Sequence, residues 1–295
     1  MVLARPTSSA TVSPLARRAT RKAPVSTSRA DLVDTAGTGG GPSTCNVSTT
    51  AALVAAAAGC AVAKHGNRSA TGLSGSADLL EALGVRIDLP PDAVARCIDE
   101  VGFGFMFAPR HHKAMAHVVP VRKELAVRTI FNFLGPLTNP AGAERQLLGV
   151  SDRHYQETIA EALVGLGSER AMVVAAEDGV DELSISARTR VIEVRDDGTE
   201  ECFVEPEDFG FARADLGEVA GGTPEENAAA SRAVLAGEQG PHRDLVLLNA
   251  GAAIYVGGGA DTLAEGVEAA VNAVDSGAGV DLLERLIAAT AAPAL

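Results

Sequence analysis

The feature that most constrains this chain is an alternation of short apolar segments with helical patterns, which begins at Asp31. Helices are expected over 47–59, 76–84, 90–102, 110–125 (interrupted at Pro120), 155–167 and 223–237, and in the last 50 residues. Strands are expected to end at 33–37 and to occupy 60–66, 103–109, 146–150, 170–179 and 190–196. Such alternation builds βα units. The sequence therefore predicts an α/β fold with a mostly parallel central sheet flanked by helices.

Composition agrees with this fold class. The chain is 46% hydrophobic but only 3% aromatic and has no Trp, whereas all-β sandwiches favour aromatic and β-branched residues. Its longest apolar run, 51–63, is shorter than the roughly 18 residues that span a bilayer, so no membrane partner is expected. The four cysteines form no CxxC pair, which favours a reducing compartment.

Charge divides the chain in two. Residues 1–30 hold six basic residues and no acidic one, whereas the other 265 hold 19 basic and 38 acidic residues. Because so acidic a body repels phosphates, no nucleic-acid partner is expected. By composition, 1–30 is a disordered basic tail, either an organellar transit peptide or a spurious start. The expected location is the cytoplasm, or a plastid if the tail is a transit peptide.

A cluster of four glycines, Gly37 and Gly39–Gly41, follows the first strand and precedes a helix. It fits neither the dinucleotide fingerprint nor the Walker A loop. A glycine turn between a strand and a helix N-terminus is nevertheless a good anion site, because backbone amides converge there. The alternative is a flexible tight turn.

Polar residues follow the cluster in several places, each with a simpler structural explanation. Residues Asn46, Ser48 and Thr49 would either cap the next helix or offer oxygens to a cation–phosphate complex. The segment KHGNR (64–68) would lie at the carboxyl end of a strand, in the ligand crevice or in a solvated loop. Ser76 would cap a helix or contact a phosphate.

Two further features concern charge. The adjacent carboxylates Asp181 and Glu182 follow a strand and a glycine turn, which suits Mg²⁺ but is also typical of an acidic turn. Arg122 and Arg128 lie among apolar residues and would either clamp a carboxylate or make surface ion pairs.

The neighbours His111 and His112 do not match a zinc-binding spacing.

The order GTGG, NVST, KHGNR, SGSADLLEALG, FAPRHHKAM, PVRKELAVRTIFNFLGPLTNPAG, DGVDELS resembles the anthranilate phosphoribosyltransferases from about Asp31 to the C-terminus. The resemblance implies the nucleoside phosphorylase/phosphoribosyltransferase type of fold for 31–295. It also implies transfer of phosphoribose from phosphoribosyl pyrophosphate to anthranilate in tryptophan biosynthesis, a homodimer and two Mg²⁺ ions. Positioning and electrostatics would drive the reaction, since the amine is already a nucleophile and no Ser, Cys or His triad is found.

The resemblance also implies roles for single residues. Gly37, Thr38, Gly39 and Gly40 would wrap the pyrophosphate, and the phosphates would be held by Asn46, Ser48, Thr49, Lys64 and Ser76. Ser48 would touch one Mg²⁺, with Asp181 and Glu182 on the second. Asn67 and Arg122 would receive anthranilate, Arg122 on its carboxylate, with His65, Gly66 and His111 lining the approach. Lys64, Asn67 and Arg122 would be the main positioning residues.

The sequence departs from the family pattern in three places. Gly41 replaces a usual acid, and Leu73 replaces a usual basic residue. Residues 1–30 stand where a small helical domain normally begins the chain, which leaves 108–132 as its remnant and predicts lower stability, an altered dimer or a gene-model artefact. Two alternatives stay open, namely a pyrimidine nucleoside phosphorylase and a catalytically silent relative that binds ligand or nucleic acid.

Overall fold

The computed structural model describes residues 24–69, 72–112, 131–195 and 198–291. Its centre is a seven-stranded sheet in the order β3-β2-β1-β4-β5-β6-β7. The first five strands are parallel, and β6 and β7 extend the sheet as an antiparallel hairpin. The strands are β1 (Leu32–Asp34), β2 (Ala61–Gly66), β3 (Phe103–Phe107), β4 (Arg145–Gly149), β5 (Arg170–Ala176), β6 (Thr189–Arg195) and β7 (Gly198–Val204).

Helices cover both faces of this sheet. They are α1 (Val47–Ala57), α2 (Ser76–Ala82), α3 (Pro91–Val101), α4 (Ala108–His111), α5 (Phe131–Leu134), α6 (Gln156–Leu166), α7 (Pro224–Leu235), α8 (Pro241–Gly257), α9 (Leu263–Asp275) and α10 (Ala278–Ala291). Among the residues described here, no helix is long and apolar enough to cross a membrane.

The core has two layers because successive strand residues point to opposite faces. On β1, Val33 joins the large cluster built with α1, α8, α9 and α10, whereas Leu32 faces the cluster under α3. On β5, Val174 joins the large cluster and Val173 packs under α6. Strands buried on both faces belong to a parallel α/β sheet, as the alternation of elements predicts.

The expected strands and helices are confirmed within the described ranges, with local differences. The strand expected over 103–109 ends at Phe107, where Ala108 begins the short helix α4. Strand β7 has no counterpart in the sequence analysis, because GTEECFV is exposed along most of its length and lacks an apolar face. Most of the helix expected over 110–125 lies outside the described residues.

The body of the domain begins before Asp31. Val25 is 1% exposed and packs in the cluster under α3, and its amide donates a hydrogen bond to the Pro140 carbonyl at 3.2 Å. The hydroxyls of Thr27 and Ser28 donate to the Asp99 carboxylate on α3. Their composition alone assigns these residues to the basic tail. The few apolar contacts that hold them come from segments distant in sequence, which composition does not reveal. Residues 1–23 lie outside the described part of the chain.

Candidate active site

The topology makes one obvious crevice. The chain runs from β1 outwards through β2 and β3, then crosses back to β4 on the other side of β1. Ligands of open α/β sheets bind at such a switch point, outside the carboxyl ends of the strands. Here the loops after β1 and β4 are joined directly, because the Thr38 amide donates to the Gly149 carbonyl at 2.8 Å. The Ser151 hydroxyl also donates to the Gly39 carbonyl at 2.8 Å.

Glycine is required where these loops meet. A Cβ on Gly149 would overlap the carbonyl group of Asp181, so that the acidic turn could not lie against the end of β4. A Cβ on Gly41 would overlap the Gly179 carbonyl in the same way. The glycine that departs from the family pattern therefore lets the loop close onto the turn before the acidic pair. Gly39 and Gly40 have φ values of 65° and 89°, which favour glycine.

The acidic pair lies under the glycine loop. The Gly39 amide donates to Oδ2 of Asp181 at 2.8 Å. The Thr44 hydroxyl lies 3.3 and 3.4 Å from the two carboxylate oxygens of Glu182. Burial, and then the neighbouring Asp181, raise the pKa of Glu182 to about 8. Both residues are half-buried, and two carboxylates so close together are unfavourable unless a cation stabilises them.

Oxygen donors for a hard cation converge on one small cavity of about 30 Å³. Both carboxylates of the pair line it, together with Ser48, which was expected to touch the metal. This set of carboxylate and hydroxyl oxygens fits Mg²⁺. The cavity is lined by Thr35, Gly37, Ser48, Leu147, Gly149, Val174, Asp181, Glu182 and Asn249.

Lys64 lies at the base of the site, at the end of β2, and is fully buried. Its Nζ donates to the carbonyl and hydroxyl oxygens of Thr35, at 3.2 and 2.8 Å, and to the Ser48 hydroxyl at 3.4 Å. Burial lowers the pKa of Lys64 to about 8, against the opposing effect of Asp34 and Glu182. In this structure Lys64 thus supports the Thr35 and Ser48 hydroxyls from below.

Asp34, the last residue of β1, is a hub that the sequence analysis missed. It is 1% exposed, and its Oδ1 accepts hydrogen bonds from the amides of Thr35 and His65 at 2.8 and 3.1 Å. Its Oδ2 accepts from the Asn139 side chain at 2.7 Å, and Asn139 also donates to the Ala63 carbonyl. Burial raises the pKa of Asp34, and Lys64 opposes that shift. The sequence feature that could have indicated this role is a carboxylate at the end of an apolar strand.

Asn249 is a second residue that the sequence analysis missed. It lies in the most buried part of α8, and its side chain accepts from the Leu183 amide at 3.0 Å and donates to the Leu183 carbonyl at 2.9 Å. It therefore holds the backbone directly after Glu182. An asparagine inside the apolar run DLVLLNAGAAIYV was the available signal.

The expected acceptor side lies at the ends of β2 and β3. His65 packs edge-on against His112, with ring centroids 4.7 Å apart. Burial, and then His112, lower the pKa of His65 to about 3, so that its ring is neutral. Burial also lowers the pKa of the half-buried His111. Asn67 is exposed just beyond Gly66, where its Oδ1 accepts from the Arg68 amide at 2.8 Å.

Three expected phosphate residues lie around the start of α1 and α2. Thr49 is fully buried, and its hydroxyl has no hydrogen-bond partner within the described part of the chain. Ser76 is half-buried in the first turn of α2. The Asn46 side chain is hydrogen-bonded to Ser74 and Asn227. Leu73 is 69% exposed. Arg122 and Arg128 lie outside the described residues, as does most of the 108–132 segment.

The fold and site define a class that sequence comparison also finds. Residues 29–280 match the family model described as "Glycosyl transferase family, a/b domain". The chain belongs to this family.

Proteins similar in sequence and structure indicate which branch of this family the chain belongs to. The chain is 56% identical over 260 residues to the anthranilate phosphoribosyltransferase of Symbiobacterium thermophilum, covering 88% of this chain and 76% of the relative. It superposes on the anthranilate phosphoribosyltransferase of Thermus thermophilus with a TM-score of 0.86 at 51% identity, covering 95% and 83% of the two chains. The chain is thus a member of the anthranilate phosphoribosyltransferase family, and it is an enzyme. Neither the phosphorylase nor the silent relative is favoured.

A yeast member extends the comparison to ligands. The anthranilate phosphoribosyltransferase of Saccharomyces cerevisiae, solved in complex with PRPP and Mg, superposes with a TM-score of 0.82 at 30% identity. The match covers 94% of this chain and 79% of the yeast chain. The same yeast enzyme was also solved in complex with 4-fluoroanthranilate.

Proposed function

We propose that this chain transfers the phosphoribosyl group of phosphoribosyl pyrophosphate to the amine of anthranilate, as its relatives' names indicate. The observation that carries the proposal is the cavity at the switch point, where Ser48, Asp181 and Glu182 meet beneath the glycine loop. In the reaction the bond from the anomeric carbon to the pyrophosphate oxygen breaks, and a bond from that carbon to the amine nitrogen forms. The amine then loses a proton.

The phosphate side is proposed to bind the donor. Amides of the loop Gly37–Gly41 and the N-terminus of α1 would bind the pyrophosphate, with the Ser48, Thr49 and Ser76 hydroxyls on the phosphates. The unpartnered Thr49 hydroxyl supports this role, because a buried hydroxyl is stabilised by gaining a partner. Lys64 would act from below, since its ammonium already donates to Thr35 and Ser48.

Magnesium is proposed to join the donor to the acidic pair, held by Ser48 on one side and by Asp181 and Glu182 on the other, with two ions per site. When bound, it supplies positive charge against the departing pyrophosphate. The Thr44 hydroxyl and the Gly39 amide contact these carboxylates, and Asn249 holds the Leu183 backbone directly after them. Because the Gly39 amide and a metal would share Asp181, the glycine loop would respond to metal binding.

The acceptor is proposed to lie on Asn67 and Arg122, beside His65, Gly66 and His111. A neutral His65 ring suits an aromatic amine, because it adds no positive charge beside the nucleophile. The chain's part in the chemistry is to orient the amine towards the anomeric carbon and to exclude water. A homodimer stays a prediction, and the relatives give no support to the plastid alternative.

The fluorescence of anthranilate tests this proposal. It should fall only when phosphoribosyl pyrophosphate and Mg²⁺ are both present, with one pyrophosphate released for each anthranilate consumed. Unchanged fluorescence with folded protein would contradict the proposed activity.

The metal assignment has its own test. The Asp181→Asn variant should require about tenfold more Mg²⁺ for half-maximal rate, because it loses a charged ligand. Glu161→Gln, an exposed change on α6, is the matched control and should keep the wild-type requirement. Equal Mg²⁺ requirements in the two variants would remove Asp181 from the metal site. Calorimetric Mg²⁺ binding gives the same comparison without turnover.

A further inference from the structure

The segment 43–46, which leads from the glycine loop into α1, is held by contacts with the segment before α7 and with α7 itself. These contacts are called the brace. Thr44 forms an antiparallel bridge with Ala220, and the Gly221 amide donates to the Ser43 carbonyl at 3.1 Å. A Cβ on Gly221 would overlap the Thr44 carbonyl, so only glycine permits this approach. The segment before α7 therefore lies directly against 43–46, although about 180 residues separate them in sequence.

Asn46 is the residue at which the contacts of the brace meet. Its φ of 57° is the only positive value of a non-glycine residue within the described ranges. It precedes α1 without capping it by its side chain, while its carbonyl accepts from the amides of Thr49 and Thr50. The backbone thus turns sharply at Asn46 and passes at once into the helix. Asparagine tolerates this left-handed conformation better than most non-glycine residues, and here its surroundings also fix the side chain.

Those surroundings are two side chains from different segments. Oδ1 of Asn46 accepts from the Ser74 hydroxyl at 2.7 Å and from Nδ2 of Asn227 at 2.6 Å. Nδ2 of Asn46 donates to the Ser74 carbonyl at 3.1 Å. The side chain expected to contact a phosphate is therefore engaged with the protein on both of its polar atoms.

Asn227 is itself held in one orientation. It lies in the first turn of α7 and is 3% exposed, and its Oδ1 accepts from the Gly222 amide at 2.8 Å. Because the oxygen faces this amide, the nitrogen must face Asn46. A buried amide that is hydrogen-bonded at both its oxygen and its nitrogen transmits the position of its own helix to its partner.

We propose that Asn227 is a positioning residue for the donor half of the site, acting through Asn46 on the start of α1. It holds the turn that places Ser48, two residues further on, at the metal-binding cavity. The hydrogen bonds of the Asn227 side chain within the described part of the chain go to Gly222 and Asn46. The assignment rests on the proposed function for its substrate, and it is not a role that the sequence motifs indicated.

Steady-state kinetics of the Asn227→Ala variant test the assignment. Loss of one buried hydrogen bond to the turn should raise the KM for phosphoribosyl pyrophosphate about five- to tenfold, while the KM for anthranilate stays within about twofold. Asn272→Ala, an exposed asparagine on α9, is the matched control and should leave both values unchanged. If Asn227→Ala does not fold, Ser74→Ala removes a single bond to Asn46 and should raise the same KM by less.

Amide hydrogen exchange supplies a readout without substrate. The amides of Thr49 and Thr50, which donate to the Asn46 carbonyl, should exchange faster in the Asn227→Ala variant than in the wild type, while those of α6 keep their protection. A folded variant whose two KM values rise together, or whose donor KM stays within twofold of the wild type, overturns the assignment. Failure of the wild type to bind phosphoribosyl pyrophosphate would instead count against the proposed function. The hydrogen-exchange comparison would still test whether Asn227 holds the start of α1.

Discussion

At the scale of single residues, Gly149 is the strictest position in the site. A methyl group there would overlap the Asp181 carbonyl, and the obstacle is backbone that cannot rotate away. Gly149→Ala should therefore lower the free energy of unfolding by about 2–4 kcal/mol and weaken the response to Mg²⁺, because the acidic turn must move. Urea unfolding and Mg²⁺ titration would measure the two effects.

The matched control for that substitution is Gly165→Ala on α6. The residue is helical, and no atom outside the adjoining turns of its own helix lies within 4 Å of a Cβ at this position. It should therefore raise stability by about 0.5–1 kcal/mol, as expected for replacing a helical glycine. A Gly149→Ala variant as stable as Gly165→Ala would mean that the close approach at Gly149 can relax.

His65 should make stability depend on pH. Its pKa is lowered from 6.5 to about 3 in the folded protein by burial, so below pH 6.5 the unfolded chain binds a proton that the folded protein does not. The free energy of unfolding should thus fall as pH drops from 6.5 towards 3, by up to about 1.4 kcal/mol per pH unit from this residue. Urea unfolding at pH 7 and pH 5 should show a smaller loss for His65→Gln. An equal loss in both proteins would show that His65 protonates without unfolding.

Residue roles could be predicted from sequence where they are local. The glycine cluster and the adjacent carboxylates Asp181 and Glu182 are visible as short patterns, and the structure places them together. Asp34, Gly149 and Asn249 were missed because their importance lies in partners from distant segments. A carboxylate, a glycine and an asparagine inside apolar runs are each ambiguous until those partners are known.

At the scale of elements, α8 supports the acidic pair through Asn249. Asn249→Asp keeps an acceptor for the Leu183 amide but loses the donors to the carbonyls of Leu183 and Leu245. It also buries a charge near the acidic pair. The variant should be less stable than wild type by about 2–4 kcal/mol at pH 8.

Lower pH should partly restore that variant, because a protonated carboxyl can donate a hydrogen bond again. Its difference from wild type in urea unfolding should therefore be smaller at pH 5.5 than at pH 8. A difference that is the same at both pH values would show that packing around α8, rather than the hydrogen bonds to Leu183, accounts for the effect.

Most elements could be predicted because alternating apolar patterns reflect burial between two helical layers. The exceptions follow from the same physics. Strand β7 lies at an edge and is exposed along most of its length, so its sequence carries no apolar signal. Residues 24–30 have a polar composition, yet Val25 is buried and Thr27 and Ser28 bond to Asp99. Composition averages over such segments and misses the single anchoring residue.

At the scale of the whole molecule, the net charge of −13 opposes an anionic substrate. The described site meets it with few cations, since Lys64 is buried and Arg68 pairs with Asp78 and Glu81. Salt that screens the charge of the acidic body should therefore favour binding of the anionic substrate. At saturating Mg²⁺, raising the ionic strength with KCl to about 0.15 M should lower the KM for phosphoribosyl pyrophosphate, because the Debye length shortens to about 8 Å.

Anthranilate carries a single negative charge, so its KM should change less over the same range of KCl. Initial rates measured at several salt concentrations with each substrate varied in turn would give both values. A donor KM that rises with salt would show instead that local cations outweigh the field of the acidic body. In that case the amides and hydroxyls around Ser48 would not be the main source of donor affinity, and charged side chains would have to replace them in the proposed binding mode.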